Sequence, residues 1–157
     1  MDNSSLHEMK RFMRRHLKKG MSVLDVGSWK KDSYRTFKEF VPENYTGIDI
    51  KDGPNVDIVV DPYEWPFEDE SFDIVISGNS FEHMERFWDV FVEMVRVLKE
   101  GGYICVLAPY KTAHIHRFPI DCWRFLPDGM KVLADVGKVK LIKSCKKNYL
   151  TVGIYQK

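Results

Sequence analysis

Five short runs of consecutive apolar residues occupy the first two thirds of the chain. They read MSVLDVG (21–27), YTGIDI (45–50), VDIVV (56–60), FDIVISG (72–78) and YICVLAP (103–109). Runs that are apolar on successive residues are typical of strands covered on both faces. Together with the helical segments between them, they predict an α/β fold: a mostly parallel sheet with helices on both faces.

Apolar residues at helical spacing predict four helices. We expect these over residues 5–20, from Asp32 or Ser33 to Pro42, from Phe87 to Lys99, and from Pro127 to about Val136. The segment KDGPN between the second and third runs is too short for a helix, so that connection departs from the usual helical crossover. Two further strands, Lys138–Ser144 and Tyr149–Tyr155, are predicted to form a terminal antiparallel hairpin around a turn at residues 146–148.

Composition excludes several classes of protein. The net charge of +1 gives no reason to expect a nucleic-acid or membrane partner. Three widely spaced cysteines argue against a disulfide framework or a zinc knuckle, and they favour a cytoplasmic location. The first residues lack the apolar core of a signal peptide, and no run approaches the about 18 apolar residues of a spanning helix.

The residues that follow the predicted strands are the candidate ligand-binding residues, because open parallel sheets bind ligands at the carboxyl ends of their strands. They are Gly27, Ser28, Trp29, Asp49, Ile50, Asp61, Pro62, Tyr63, Ser77, Gly78 and Asn79. Asp49 follows Gly27 by 22 residues, about the spacing of a ribose-binding acid in nucleotide-binding βαβ units. Each residue alone has a plainer explanation; Asp61 before Pro62, for example, can simply start a turn.

Several of these segments resemble one family in their order and spacing. VLDVGS, YTGIDI, DPYEWPFEDESFDIVIS, FEHM and EMVRVLKEGGYI resemble the class I S-adenosylmethionine-dependent methyltransferases, and most closely the ubiquinone-biosynthesis-type methyltransferase domain. The resemblance runs from Val23 to Pro109. It implies a Rossmann-like, seven-stranded sheet with a C-terminal antiparallel hairpin, S-adenosylmethionine as cofactor and S-adenosylhomocysteine as product. The later HRFPIDCWRFLPDG resembles a subset linked to cell-surface glycans and specialised metabolism.

The resemblance also implies roles for matching residues. Asp25 and Gly27 match the segment around the methionine part of the cofactor, Asp49 the acid on the ribose hydroxyls, and Asp61 the acid near the adenine amino group. Ser77 and Gly78 match the backbone that flanks the sulfonium. Phe81, Glu82 and His83 match the loop beside the methyl group.

The loop after the first strand departs from the family's glycine-rich pattern. The family usually has D-x-G-x-G-x-G, whereas this chain reads D-V-G-S-W-K-K. Trp29 cannot cheaply adopt a positive φ, so the loop must follow another path. We expect that path to bring Lys30, Lys31 or Arg35 near the methionine carboxylate.

Methyl transfer to a hydroxyl or a protonated amine needs a group that accepts the proton. The loop after the fifth strand offers His116 or His114, with Asp121 as orienting residue or alternative base. Arg117 and Arg124 could hold an acidic substrate group, and Phe118, Trp123 and Phe125 could form an apolar wall. Alternatively, Arg124 only pairs with Asp121 and the aromatic residues are core. Since no further clustered ligands follow His114-x-His116, we expect no metal.

The whole chain, 1–157, is therefore expected to be one methyltransferase domain. Its parts are an N-terminal helix (1–20), a cofactor-binding core (21–109), a substrate loop (110–126), and a helix with the terminal hairpin (127–157). The acceptor is expected to be a small molecule or glycan, and the protein a monomer or homodimer. The basic face of the first helix is either a solvated surface or a landing patch for an anionic substrate.

Three other functions compete with this interpretation. A non-catalytic S-adenosylmethionine-binding module is favoured by the altered loop. A nicotinamide-dependent oxidoreductase requires G-x-G-x-x-G, which fails here at both later glycines. A nucleic-acid methyltransferase is supported by the basic first helix but not by the net charge.

Overall fold

A seven-stranded sheet forms the centre of the molecule. The structure, a computed structural model, describes residues 3–30, 35–41, 43–117 and 119–157. The strands are β1 (Val23–Val26), β2 (Tyr45–Asp49), β3 (Ile58–Val59), β4 (Phe72–Gly78), β5 (Leu98–Pro109), β6 (Lys140–Lys147) and β7 (Leu150–Gln156). Their order is β3-β2-β1-β4-β5-β7-β6. The first five are parallel, while β7 runs antiparallel to β5 and β6. The predicted sheet with its terminal hairpin is confirmed.

Helices cover both faces of this sheet, as predicted. Helix α1 (Asn3–His16) packs on one face, where Met9 and Met13 contact the core around Ile74 and Ile76. Helices α2 (Phe87–Val97) and α3 (Pro127–Gly137) pack on the other face with apolar residues of β1, β4 and β5. Two 3-10 helices, Phe37–Phe40 and Phe81–His83, lie in the connections after β1 and β4. No helix in the described part of the chain is both long and apolar enough to span a bilayer.

Several element boundaries differ from the sequence predictions. Helix α1 ends at His16 rather than Gly20. Helix α2 ends at Val97 rather than Lys99, because Leu98 already pairs with Phe72 of β4. Strand β3 is shorter than residues 56–60, and the terminal turn lies at residues 148–149.

The predicted helix after β1 is wrong over residues 37–40, which form a single 3-10 turn. Its predicted start at Asp32 or Ser33 and its predicted end at Pro42 lie outside the described residues. Phe37 is fully buried in the α1 face of the core. A short turn is therefore enough to bury the apolar side chain that suggested a helix.

The connection between β2 and β3 contains no helix, as its length predicts. Asp57 holds the two ends of this link together, because its Oδ2 accepts a hydrogen bond from the Gly47 N–H at 2.8 Å. The Asp57 N–H in turn donates to the Gly47 carbonyl at 2.8 Å. These two bonds let a parallel strand pair form without a crossover helix.

Candidate cofactor and acceptor site

The carboxyl ends of β1 and β4 meet where the strand order reverses. From β1 the chain passes to β2 on one side, whereas β4 lies on the other side of β1. Ser77 Oγ donates to the Val26 carbonyl at 2.9 Å, and Ser80 Oγ donates to the Gly27 carbonyl at 3.0 Å. The loops after the two strands are therefore tied together at the place where open α/β sheets bind ligands.

Asp49 lies at the end of β2, directly beside the loop after β1. Its Oδ2 accepts a hydrogen bond from the Trp29 N–H at 3.1 Å, and its Oδ1 accepts one from the Lys51 N–H at 3.3 Å. Burial raises the pKa of the Asp49 carboxyl, while the backbone donors Trp29, Lys51 and Ile50 oppose that rise. Ile50 is 64% exposed next to this carboxylate, so its side chain is free to contact a flat ligand.

Asp61 belongs to the same sheet edge but is exposed. The Val60 N–H, one residue after β3, donates to the Asp49 carbonyl at 3.0 Å. This bond holds Asp61, the next residue, near the end of β2. Asp61 Oδ1 accepts hydrogen bonds from the N–H groups of Tyr63 and Glu64 at 2.8 and 3.2 Å. Asp61 thus starts a turn through Pro62, which is the plainer of the two explanations given from the sequence. One of its carboxylate oxygens accepts hydrogen bonds within that turn.

Tyr63 is engaged by a neighbouring cation. The Arg86 guanidinium lies 3.8 Å from the centre of the Tyr63 ring, within cation–π distance. Arg86 also forms an ion pair with Asp89 at 3.3 Å. One face of the ring is therefore occupied by protein.

Asp25 lies inside β1 rather than at its end. The Tyr45 hydroxyl donates to Asp25 Oδ2 at 2.6 Å, and Oδ1 has no hydrogen-bond partner among the residues described. Burial raises the pKa of the Asp25 carboxyl to about 6, although the nearby Lys30 charge and the Tyr45 hydrogen bond lower it.

Lys30 lies between Trp29 and Lys31, the two residues that stand where the family pattern has its later glycines. Its side chain is buried, and its Nζ lies 3.4 Å from the Gly78 carbonyl. Arg35 instead pairs with Glu39 at 2.7 Å on the surface, so of the described candidates it is Lys30 that reaches the end of β4. Lys31 lies outside the described residues.

The β2–β3 link supports the altered loop, and sequence reasoning missed this. Asn55 Nδ2 donates to the Ser28 carbonyl at 2.8 Å and to the Tyr45 hydroxyl at 2.9 Å. The Trp29 indole lies against the α-carbon of Gly53, where a Cβ would clash with it. The only signal in the sequence was the Gly-Pro-Asn of a link too short for a helix.

Asn79 connects the end of β4 to two other elements. Its N–H donates to the Leu107 carbonyl at 2.8 Å, and its Nδ2 donates to Ser5 Oγ of α1 at 2.8 Å. The first helix therefore closes one end of the cleft, next to Gly78.

Arg124 organises the loop between β5 and α3. Its guanidinium binds both carboxylate oxygens of Asp121, one of them at 2.8 Å, and donates to the carbonyls of Ala113, His114 and Trp123. The pairing of Arg124 with Asp121 is the alternative to substrate binding that the sequence suggested. It lowers the pKa of the Asp121 carboxyl. Asp121 Oδ2 also accepts a hydrogen bond from the His116 N–H at 2.6 Å. Asp121 thus orients the loop that carries His116.

This loop is fastened to the turn after β4. The Cys122 N–H donates to the Glu82 carbonyl at 2.7 Å, the Trp123 indole N–H donates to the Met84 carbonyl at 2.9 Å, and His83 Nδ1 lies 2.5 Å from the Ile120 carbonyl. The predicted substrate loop and the predicted methyl-side segment are therefore one unit.

A buried carboxylate lies at the centre of this unit. Glu82 is fully buried, and its Oε1 lies 3.4 Å from His116 Nε2 and 3.8 Å from His83 Nε2. Burial raises the pKa of the Glu82 carboxyl, whereas the neighbouring histidine rings lower it. Glu82 and His116 are far apart in sequence, so no local pattern could have predicted this contact.

The other predicted acceptor-site residues are distributed unevenly. His114 and Arg117 are exposed. In the described part of the chain, His114 contacts His116 and Arg124 through its backbone carbonyl. Phe125 belongs to the core, while Trp123 is 37% exposed beside Phe87. Phe118 lies outside the described residues.

Comparison with known proteins supplies independent findings. Residues 24–106 match the model of the family described as methyltransferase domain. A phthiotriol/phenolphthiotriol dimycocerosates methyltransferase of Mycobacterium ulcerans is 36% identical over 102 residues, which cover 54% of this chain and 36% of that protein. The match therefore spans about a third of that relative's length.

Solved structures share the fold at low sequence identity. The 1,6-didemethyltoxoflavin-N1-methyltransferase of Burkholderia thailandensis, solved with bound 1,6-didemethyltoxoflavin and S-adenosylhomocysteine, aligns with a TM-score of 0.79 and 14% identity. The alignment covers 99% of this chain and 79% of that chain. An S-adenosylmethionine-dependent methyltransferase of Aquifex aeolicus aligns with a TM-score of 0.69 and 17% identity, over 99% of this chain and 93% of its own.

Proposed function

The chain belongs to the methyltransferase domain family, since the match to residues 24–106 covers more than half of its 157 residues, and on that premise we propose that it transfers a methyl group from S-adenosylmethionine to a small-molecule acceptor. The observation that carries the proposal is the shared sheet edge. Gly27, Asp49 and Asp61 lie at the carboxyl ends of the adjacent strands β1, β2 and β3, which backbone hydrogen bonds from Gly27 to Ile48 and from Val60 to Asp49 hold together.

The cofactor is proposed to lie across the ends of β2, β1 and β4. The half-buried Asp49 carboxylate accepts hydrogen bonds from the ribose hydroxyls, for which a charged acceptor is well suited. Gly27 permits close approach of the ligand to the backbone at φ +74°. Ile50 packs on the adenine face, and Lys30 faces the methionine carboxylate.

The acceptor is proposed to lie between this cleft and the loop 110–126. Its nucleophilic atom attacks the methyl carbon in line, the carbon–sulfur bond breaks, and neutral S-adenosylhomocysteine leaves. A hydroxyl acceptor also loses its proton. His116 is the proposed proton acceptor in the metal-free protein. Among the predicted catalytic residues His116, His114 and Asp121, only His116 places a ring nitrogen beside the buried Glu82 carboxylate.

Trp88 and Trp123 support an apolar acceptor group. The two rings lie 6.1 Å apart, and both are more than a third exposed. Exposed indoles beside a polar cluster suit a molecule with an apolar body and one reactive polar group. The resemblance of residues 116–129 to glycan-linked methyltransferases makes a glycosylated lipid or metabolite a second class to test.

The cofactor proposal is tested by calorimetric titration with S-adenosylhomocysteine. We expect binding to the wild type and a loss of about 10- to 100-fold for Asp49→Ala, since a charged hydrogen bond is worth about 1.5–3 kcal/mol. Asp52→Ala, an exposed acid three residues on, is the matched control and should bind normally. Absence of binding to the wild type would overturn the proposal.

A non-catalytic binding module is the second candidate, favoured by Lys30 lying against the Gly78 carbonyl. Incubation with labelled S-adenosylmethionine and a metabolite extract separates the two functions. Label in an extract compound supports the methyltransferase. Tight cofactor binding with no labelled product across acceptor extracts supports the binding module.

A further inference from the structure

The Glu82 carboxylate is buried, and the cations Lys30 and Arg124, which interact with its charge, form no hydrogen bond with its oxygens. Its side chain has 0% exposure, and neither carboxylate oxygen has a hydrogen-bond partner within the described ranges 3–30, 35–41, 43–117 and 119–157. Leaving a buried charged group unpaired costs several kcal/mol in general. Such a carboxylate requires a cation or a proton at its oxygens.

The two neighbouring histidines present ring nitrogens to this carboxylate. His83 Nδ1 lies 2.5 Å from the Ile120 carbonyl, and His116 Nδ1 lies 3.2 Å from the His114 carbonyl. A carbonyl can only accept a hydrogen bond, so both Nδ1 atoms carry the proton. In each neutral ring Nε2 therefore holds a lone pair, and each Nε2 faces Glu82 Oε1.

When Glu82 is ionised, three electron-pair donors thus converge at one point. The two contacts to Glu82 Oε1 are 3.4 and 3.8 Å, and all three ligand atoms lie within 4.8 Å of one another. Ligands around one tetrahedral Zn²⁺ lie about 3.4 Å apart, given metal–ligand bonds of about 2.0–2.2 Å. Side-chain adjustments of about 1 Å would bring the three atoms to that spacing.

We infer that Glu82, His83 and His116 form a site for one divalent transition-metal ion of the Zn²⁺ or Co²⁺ kind. Two imidazoles and one carboxylate suit these ions rather than Mg²⁺ or Ca²⁺, which prefer oxygen ligands. The carbonyls of Ile120 and His114 orient the two rings, as outer partners do in known metal sites.

Three protein ligands leave a coordination position open, as in catalytic zinc sites. Resting on the proposed function, a cation held by these residues would lower the pKa of a hydroxyl acceptor bound at that position. The hydroxyl proton would go to solvent, the oxygen would bond to the methyl carbon, and the carbon–sulfur bond would break with S-adenosylhomocysteine leaving. His116 then serves as a ligand rather than a base. The acceptor class is accordingly an alcohol or phenol.

The site is tested by titrating the chelator-treated full chain with Co²⁺ and following its visible absorption. We expect one equivalent to bind, and Zn²⁺ to displace it. Glu82→Gln and His116→Asn should each weaken binding by at least about 100-fold, more than the 10- to 100-fold typical of outer partners. Because Glu82 is buried, the 53% exposed His116 side chain gives the variant less prone to misfolding.

Two controls address other metal-binding groups. His7→Ala removes an exposed histidine of α1, and Cys122→Ser removes an exposed thiol whose backbone contacts Glu82. Both variants should bind Co²⁺ as the wild type does. Binding that survives His116→Asn but disappears in Cys122→Ser would overturn the proposed ligand set, and no binding to the wild type would overturn the site.

Cofactor titration distinguishes this inference from the proposed function. Chelation should leave S-adenosylhomocysteine affinity unchanged, since Glu82, His83 and His116 are not among the residues proposed to hold the adenosine. Normal cofactor binding with no Co²⁺ binding overturns only the metal site. Co²⁺ binding without cofactor binding overturns the proposed function and leaves the site standing.

Discussion

The Lys30 ammonium lies 3.4 Å from the backbone carbonyl oxygen of Gly78, so a side chain from the loop after β1 reaches the end of β4. The side chain is only 8% exposed, and burial lowers the pKa of its amino group. Asp25, Glu82 and Asp49 oppose that shift. A buried cation thus lies within electrostatic range of these three carboxylates.

Lys30 should bind the carboxylate of the cofactor's methionine part. We expect Lys30→Met to weaken S-adenosylhomocysteine binding by about tenfold or more, the equivalent of one lost charged hydrogen bond. Methylthioadenosine has the same nucleoside and sulfur but no carboxylate, so its affinity should not fall. Calorimetry with both ligands measures the difference.

The matched control is Lys38→Met, which removes an exposed lysine paired with Asp57 at 3.4 Å. It should leave both affinities unchanged. Equal weakening of both ligands by Lys30→Met would mean that Lys30 only supports the loop. Tighter binding of both would mean that the lysine blocks the cleft.

Asp25 should make stability depend on pH. Its pKa is about 6 in the folded protein against 3.8 for the ordinary group, chiefly through burial. The folded state therefore holds this proton more tightly than the unfolded chain. Its stabilising contribution is complete below about pH 4 and is lost as pH rises through about 6. The expected loss is about 3 kcal/mol.

Comparison with Asp25→Asn isolates this effect from the rest of the molecule. Asparagine keeps an oxygen for the Tyr45 hydroxyl but does not titrate. Urea titrations give the unfolding free energies of both proteins. The wild-type value minus the Asp25→Asn value should fall by about 3 kcal/mol between about pH 4 and pH 8. A difference independent of pH would show that Asp25 titrates normally.

The sheet was predictable from sequence because its signal is local. Consecutive apolar residues such as Ile74 to Ile76 become the fully buried centre of β4. The helix predicted around Phe37 failed because one buried aromatic residue needs only one turn. The end of α2 was set by the pairing of Leu98 with Phe72, a contact that helical periodicity does not contain.

The proposed cofactor edge was predictable for a similar reason, because Gly27 directly follows β1 and Asp49 is the last residue of β2. The cluster of Glu82, His83 and His116 was only partly predictable. His116 was a candidate by residue type, but its partner Glu82 lies in another element. Only the fold brings the loop after β5 onto the turn after β4, and that packing buries the carboxylate.

Gly27 should tolerate alanine less well than Gly20, although both have positive φ, +74° and +83°. Alanine at either position pays about 1–2 kcal/mol for the left-handed backbone. A Cβ at Gly27 would also lie 2.5 Å from the Ser80 Cβ, whereas nothing lies within 4 Å at Gly20. Gly27→Ala should therefore cost about 1–3 kcal/mol more than Gly20→Ala in urea unfolding.

A second change separates crowding from backbone strain. Ser80→Gly removes the Cβ and Oγ that a methyl group at position 27 would meet. Added to Gly27→Ala, it should recover part of the lost stability. If Gly27→Ala and Gly20→Ala lower the unfolding free energy equally, Ser80 moves away from the new methyl group without an energetic cost.

Arg124 should hold the loop that carries His116 without contributing to the sheet core. Its guanidinium joins Asp121 to the carbonyls of Ala113 and His114. Each charged hydrogen bond is worth about 1.5–3 kcal/mol. Arg124→Ala should therefore speed amide hydrogen exchange over residues 113–116 by at least about tenfold, with β4 and β5 unchanged.

Arg117→Ala is the control, because it removes an exposed arginine from the same loop. It should leave exchange in that loop as it is in the wild type. Since the His116 N–H donates to the Asp121 carboxylate that Arg124 holds, the Arg124 variant should also bind Co²⁺ more weakly. Fast exchange throughout the sheet would instead mean that Arg124 supports the whole fold, and normal exchange at residues 113–116 would mean that the loop is held by its contacts to Glu82 and Met84.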